Sequence, residues 1–377
     1  TSGALGDNDT TLGFTNPRTQ VRLSGAVEGT DLSGQVVFDF GNATDNARHT
    51  DGTANLLVAM AAWTVNEDWT LLVGQWHNPV VAEEAFLPEH TMAVERSGMN
   101  EFFNPGYTQG VAFAYTGSDS FKLVGAIADG ATYAGNPSPT NSAFNSAGEN
   151  DFGFTGRADY LASGTWDQFS DMTSWKGSNT GIKLGGGFHY QTAGNTNPSS
   201  TAGGGNAIFT TLLGEAVDEM EITLWTLDAQ IEGDGWSVFA GYVGHKLDAK
   251  GITAGNDLDI TNHGAVVQGS MFFSDQFEAF ARWDSIFWDD VLTDAAGAGA
   301  DDTTHTITVG GNYYFVPESH AAKFTMDAVF TLDNSLVSDV VVGAAGGTAG
   351  SADPTTTGLL GTSDSEFMLR AQMTLLF

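Results

Sequence analysis

Residues 367–377 alternate without a break. Phe367, Leu369, Ala371, Met373, Leu375 and Phe377 fall on one side, and Met368, Arg370, Gln372, Thr374 and Leu376 on the other. A period of two is the period of a β-strand, whose successive side chains point to opposite faces. One face here is wholly apolar, while the other carries an arginine and a glutamine. An edge strand of a soluble sandwich and the closing strand of an outer-membrane β-barrel both fit this segment alone. In the barrel the outward side chains meet lipid, and the terminal aromatic fits that reading.

The same pattern recurs along the chain. Residues 19–27, 35–40, 56–64, 69–76, 108–115, 121–128, 152–160, 182–191, 222–231, 236–245, 263–273, 277–287, 304–315 and 321–331 each alternate. With the closing segment they predict fifteen strands. Their connections alternate long and short, as membrane barrels require of outer loops and periplasmic turns. Residues 161–180 are the one connection that is long where a short one is expected. A closing strand that ends at the periplasmic side makes the strand at 19–27 run downward. An even count then needs a sixteenth strand, rising within residues 1–12. The expectation is an all-β fold: one 16-stranded antiparallel transmembrane β-barrel spanning residues 1–377 as a single domain.

Charge placement argues for a polar interior. Arg22, Lys122, Arg157, Lys183, Arg282, Lys323 and Arg370 lie within strands, on the face opposite the apolar set. So do Glu28, Asp39, Asp159, Asp228, Glu278, Asp284 and Asp327. A lysine or arginine facing lipid at the bilayer midplane costs about 2–4 kcal/mol, so these side chains are expected to line a water-filled pore. Trp63, Trp69, Tyr107, Tyr115, Tyr160, Trp225, Trp236, Trp283 and Tyr313 cluster near strand ends, where membrane-interface girdles place amphipathic rings. No apolar run approaches the roughly 20 residues of a membrane-crossing helix, which is no bar to strands.

Composition narrows the function. The 46 acids against 13 bases give a net charge of −33, which excludes nucleic-acid binding by phosphate neutralisation. There is no cysteine, and so no disulfide framework or thiolate metal site. No nucleophile elbow, phosphate-binding loop or zinc-protease motif occurs, so no enzymatic activity is expected. His189 reads as a wall residue and Glu83-Glu84 as a solvated pair. The acidic runs at residues 7–9, 257–259, 289–290 and 301–302 offer hard oxygen ligands of the kind Ca²⁺ takes, without EF-hand spacing. No other cofactor is implied.

Several stretches resemble the phosphate-selective porin O/P family. Val73-Gly74-Gln75-Trp76-His77-Asn78-Pro79 is similar to its Gly-Gln-aromatic-Lys-x-Pro motif. Glu95-Arg96-Ser97 and Gly110-Val111 follow in order, then Phe280-Ala281-Arg282-Trp283-Asp284 and Gly310-Gly311-Asn312-Tyr313-Tyr314-Phe315. The resemblance implies a trimeric, 16-stranded porin of the bacterial outer membrane, in some members phosphate-selective through lumenal arginines and lysines. This sequence departs from that pattern in two ways. His77 stands where lysine is usual, and the segment 80–106 sets Glu83, Glu84, Glu89, Glu95 and Glu101 against Arg96.

The expected function is an outer-membrane channel for passive diffusion of ions and small hydrophilic solutes. Its partners would be lipid and two further copies of itself. Part of 80–106, apolar at Phe86, Leu87, Phe102 and Phe103, is expected to fold into the lumen as the constriction. The strand bases and acids nearly cancel, leaving 39 acids and 6 bases elsewhere. That predicts a modest cation preference. The alternatives are an anion- or phosphate-selective porin, and a structural or adhesive barrel whose acidic loops bind cations.

Overall fold

The structure is a computed structural model of all 377 residues; it describes residues 14, 16, 18–40, 54–131, 152–194, 212–215, 217–296, 301–333 and 367–377. Fifteen strands form one antiparallel sheet in which each pairs with the next. They are β1 (Gln20–Ala26), β2 (Leu32–Asp39), β3 (Asn55–Thr64), β4 (Trp69–His77), β5 (Tyr107–Tyr115), β6 (Phe121–Ala131), β7 (Phe152–Ser163) and β8 (Gly181–Gly194). Then follow β9 (Val217–Gly233), β10 (Trp236–Gly251), β11 (Asp257–Phe272), β12 (Phe277–Phe287), β13 (Thr303–Tyr314), β14 (Ala322–Thr331) and β15 (Phe367–Leu375). Among the described residues, short helices between the strands include α1 (Ala82–Ala85), α2 (Gly98–Phe103) and α3 (Asp290–Ala296).

Local chemistry explains the tight ends. Between β3 and β4, the Asn66 side-chain oxygen accepts from the backbone N–H of Asp68 at 2.9 Å and of Trp69 at 3.0 Å. Such a side chain mimics a backbone turn. Between β9 and β10, Gly235 takes φ +73°, a left-handed conformation that glycine adopts without the Cβ penalty. All fifteen predicted strands are present, several with longer ends. β9, β10 and β11 have 17, 16 and 16 residues, more than the roughly 9–11 a tilted strand needs to cross a bilayer.

The outward face is apolar and exposed along the sheet, as at Leu23, Val73, Phe113, Ile127, Leu227, Val267, Met271, Val309, Met326 and Leu369. The inward face departs from the expected uniform polarity in two places. On β3 to β6 the register aligns Ala62, Leu72, Ala112 and Ala126 in one row. Trp76 packs against Ala112 and Ala126, with Met60 and Val124 beside them. On β9 to β12 the inward Leu224, Phe239, Val243, Val266, Phe280 and Ile286 are buried in an apolar cluster. The alternation places these residues inside, but it is protein and not water that covers the second group.

Three further expectations need correction. Residues 257–259 are the start of β11 and not a loop, and Asp259 lies 3.1 Å from the Lys246 ammonium. Glu28 falls in the β1–β2 turn. Residues 161–163 end β7, and 164–180 form a tucked-in connection, described below. The sixteenth strand expected within residues 1–12 and the acidic run 7–9 lie outside the described residues.

Candidate functional site

The connection between β4 and β5 is folded onto the inner face of the sheet. The Asn78 N–H donates to the Gly106 carbonyl at 2.9 Å and pins the two ends together. Between them, Val80, Val81, Phe86, Met92, Met99, Phe102 and Phe103 join the inward residues of β9 to β12 in one buried cluster. Each such side chain contributes about 1.5–3 kcal/mol on full burial. This cluster holds the segment against the wall, and it explains why a long polar-looking connection carries so much apolar area.

Glutamates build the segment internally. The Glu83 carboxylate accepts from the Ser97 N–H at 2.9 Å, and Ser97 Oγ in turn caps α2 by accepting from the Asn100 N–H at 3.0 Å. Glu84 accepts from the Asn100 amide at 2.9 Å and lies 3.3 Å from the Arg96 guanidinium and 3.1 Å from the His77 ring. Both carboxylates are buried. His77, in the position where the family motif has lysine, packs against the Tyr107 ring at 3.8 Å between centroids, tilted by 39°. The protein packed around Glu101, with Glu84 nearby, pushes its carboxyl up to about 8, although part of its surface stays open.

The wall grips the segment through polar side chains from many strands. Lys323 on β14 donates to the Glu89 and Thr91 carbonyls, both at 2.8 Å. Arg282 on β12 donates to the Glu95 carbonyl at 2.9 Å and lies 3.4 Å from Asp284. Asp284 accepts from the Gly98 and Met99 N–H groups at the start of α2. Asn312 on β13 donates to the Met92 carbonyl at 2.9 Å and to Glu278 at 2.9 Å, and Tyr314 donates to Glu278 at 2.7 Å. Asp327 on β14 accepts from the Val94 N–H at 3.0 Å and from Arg370 on β15 at 2.7 and 2.8 Å.

On the other flank, Arg157 of β7 holds Asp228 of β9 at 2.9 Å and Asp159 at 2.7 Å, and donates to the Val80 carbonyl. Glycines on β8 make this approach feasible. A Cβ at Gly187 would sit 2.6 Å from the Val80 carbonyl, and one at Gly185 would sit 2.2 Å from the Arg157 guanidinium. Lys183 lies over the Phe86 and Phe169 rings, and Lys122 over Trp166. His189 is buried between Thr155 at 2.7 Å and Gln191 at 2.8 Å. Asp39 receives the Gln20 amide at 3.0 Å.

All the predicted strand residues other than Glu28 therefore lie on the inner face, but many do not face open space. Asp228, Glu278, Arg282, Asp284, Lys323 and Asp327 are buried against the segment or the wall. The segment's own acids are likewise not a free negative field. Glu95 is held by Arg18, with Nη1 at 3.2 Å from Oε1, and Glu89 by Arg22, with Nη2 at 3.1 Å from Oε2. The second bond of each fork, Arg18 Nη2 to Glu95 and Arg22 Nη1 to Glu89, is shorter still. Burial works against a charged Glu89, but the hydrogen bonds and charge of Arg22 outweigh it and hold the carboxyl below the usual range.

Sequence reasoning missed Arg18, which precedes β1, and the role of the connection after β7. That connection tucks under the sheet from the opposite rim. Its Met172 N–H donates to the His90 carbonyl at 3.2 Å, and the Met172 carbonyl accepts from Ser237 at 2.7 Å. Asp171 lies 3.3 Å from the His320 ring, which packs 4.6 Å from the His90 ring. Burial, and then His320, lower the His90 pKa. The length of 161–180 and its Trp166, Phe169 and Trp175 were the signal. Among the described residues, no three His, Cys, Asp or Glu side chains gather as a metal site.

Comparison with known proteins bears on what such a site belongs to. The family described as phosphate-selective porin O and P matches residues 2–329 of the chain. Among solved structures, an anion-selective porin from Comamonas acidovorans is similar at 11% identity and a TM-score of 0.52, over 85% of this chain and 80% of that one. OmpT of Vibrio cholerae is similar at 14% identity and 0.50, over 88% and 83%. OprB of Pseudomonas putida is similar at 11% identity and 0.50, over 83% and 82%. At these identities the likeness is one of fold. No curated protein sequence matches the chain.

Proposed function

This chain belongs to the phosphate-selective porin O and P family, and on that premise we propose that its sheet closes into one 16-stranded barrel forming a diffusion channel for small hydrophilic solutes. Its place is the bacterial outer membrane. The observation that carries the channel reading is the inserted segment. A segment folded onto the inner face and held by side chains from β1, β7, β12, β13 and β14 would narrow the lumen of a closed barrel. The apolar cluster ties it to β9–β12, so the passage runs on the side of β1 to β6. Residue 377 would lie at the periplasmic rim, and three copies would assemble, as the family resemblance implies.

The family favours an anion- or phosphate-selective channel. The modest cation preference expected from the net charge of −33 has only that charge behind it. An anion path does not use four arginines on one wall, since Arg22, Arg157, Arg282 and Arg370 sit on β1, β7, β12 and β15. Arg18 and Arg22 keep 26% and 28% of their side chains open, against 4–11% for Arg96, Arg157, Arg282 and Arg370. Among the described arginines those two are the most open to a passing anion, with Lys122 and Lys183 half-buried on the same face. Reconstitution into planar bilayers tests the reading: stepwise single-channel conductance is expected, and its absence would leave a structural barrel. Reversal potentials in a KCl gradient then decide the ion preference.

A further inference from the structure

Resting on the channel reading above, we infer that Glu89 and Glu95 are specificity-determining residues: they occupy, as resident counter-anions, the two open guanidinium forks that a passing oxyanion would otherwise take. Three observations carry this. First, each carboxylate engages both terminal nitrogens of its arginine, Glu95 on Arg18 and Glu89 on Arg22. The planar, two-pronged geometry is the one by which a guanidinium recognises any oxyanion, phosphate or carboxylate alike.

Second, the carboxylates are fixed and buried, while the arginines are partly open. The backbone beneath each glutamate is tied to other strands, the Glu89 carbonyl to Lys323 on β14 and the Glu95 carbonyl to Arg282 on β12. The backbone of neither glutamate can move off its arginine without breaking these bonds. Arg22 also receives a fixed neighbour, its Nη2 donating to the Gln20 side chain at 2.7 Å. The Arg22 guanidinium is thereby held on two sides, and the groups filling both forks belong to the chain itself.

Third, the segment's other glutamates have different work. Glu83 and Glu84 hold Ser97, Asn100, Arg96 and His77 and so build the segment. Neutralising them would loosen the fold and would not tune selectivity. Glu101 and Glu84 also lie within the field of Arg18, but among the segment's glutamates it is Glu89 and Glu95 that hydrogen-bond arginines keeping open surface. The lowered pKa of Glu89 keeps its pair ionised through the neutral range.

The test uses the full chain with Glu89→Gln and Glu95→Gln together, which keep shape and remove charge. In a KCl gradient at 0.1 M, the chloride-to-potassium permeability ratio should rise by about threefold or more, because two local negative charges are lost. The shift should shrink at 1 M salt, where screening reaches only about 3 Å. Inorganic phosphate should inhibit the KCl current of the double variant at lower concentration than that of the wild type. Adding Arg18→Gln and Arg22→Gln should abolish that sensitivity. An unchanged ratio and unchanged phosphate sensitivity in a conducting double variant would overturn the assignment, as would sensitivity that survives loss of both arginines. If the double variant does not insert, the single changes carry the test, and no shift in either overturns it. A wild type that does not conduct at all would instead refute the channel reading.

Discussion

Arg22 and Lys323 take hold of one residue from opposite ends of the sheet. Arg22, on β1, binds the Glu89 carboxylate, and Lys323, on β14, donates to the Glu89 carbonyl at 2.8 Å. Thirteen strand spacings separate them along the sheet, about 60 Å if it were flat at roughly 4.8 Å per strand. They meet because the sheet curls, and the inserted segment is what they meet on.

That grip predicts the effect of removing the segment. Deleting residues 83–100 should raise single-channel conductance, since the cross-section they fill would become water. Lys323→Met, which leaves the Glu89 and Thr91 carbonyls without a donor, should cost the segment about 1–3 kcal/mol and make the open channel noisier. Bilayer recordings at fixed voltage check both. Conductance unchanged by the deletion would place the segment outside the current path.

The Arg157–Asp228 pair predicts a stability effect. Both side chains are buried, so removing one partner strands the other charge. Arg157→Ala or Asp228→Ala should each destabilise by about 3–5 kcal/mol, and the double variant by less than the sum of the two. Urea unfolding of the barrel in detergent, followed by tryptophan fluorescence, measures this. Additive losses would mean that the two residues do not depend on each other.

His90 predicts a response to acid. It faces His320, Asp171, Glu89 and the Ser170 carbonyl, and its folded pKa lies below the ordinary 6.5. A depressed histidine contributes stability that is present above 6.5 and is lost as pH falls through the folded value. Acidification below about 6.5 should therefore loosen the junction with the Met172 connection and increase current fluctuations. His90→Gln should remove that response. Fluctuations that persist unchanged in the variant would assign the response to another group.

Glu101 predicts the opposite slope. Its carboxyl is held up to about 8 in the folded chain, so the folded state keeps a proton that the unfolded state gives up above about 4.5. Stability contributed by this residue falls as pH rises from about 4.5 to about 8, then levels off. Glu101→Gln should flatten that part of the urea-midpoint profile. A profile identical to the wild type would show that Glu101 ionises normally.

The strands were legible in the sequence because their cause is local. Each outward side chain meets the same apolar surroundings, so alternation along ten residues suffices to show it, as in residues 367–377 or at Val309 and Met326. The position of the inserted segment was legible for a related reason: Phe86, Phe102 and Phe103 need cover, which an exposed loop lacks. Many inner-face side chains are covered by protein, because alternation tells which face a side chain takes and not what lies across from it. Phe239 and Arg282 share that face, and both end up under the segment.

What only the tertiary structure decided is which charges meet. Arg18 and Glu95 lie 77 positions apart, and Lys323 and Glu89 lie 234 apart. No local pattern links them, so the acidic total of the chain reads as a free field when many of its interior members are already paired. Pairing at that range depends on the curl of the sheet and the path of one inserted segment, a three-dimensional arrangement that brings together charges the sequence keeps far apart.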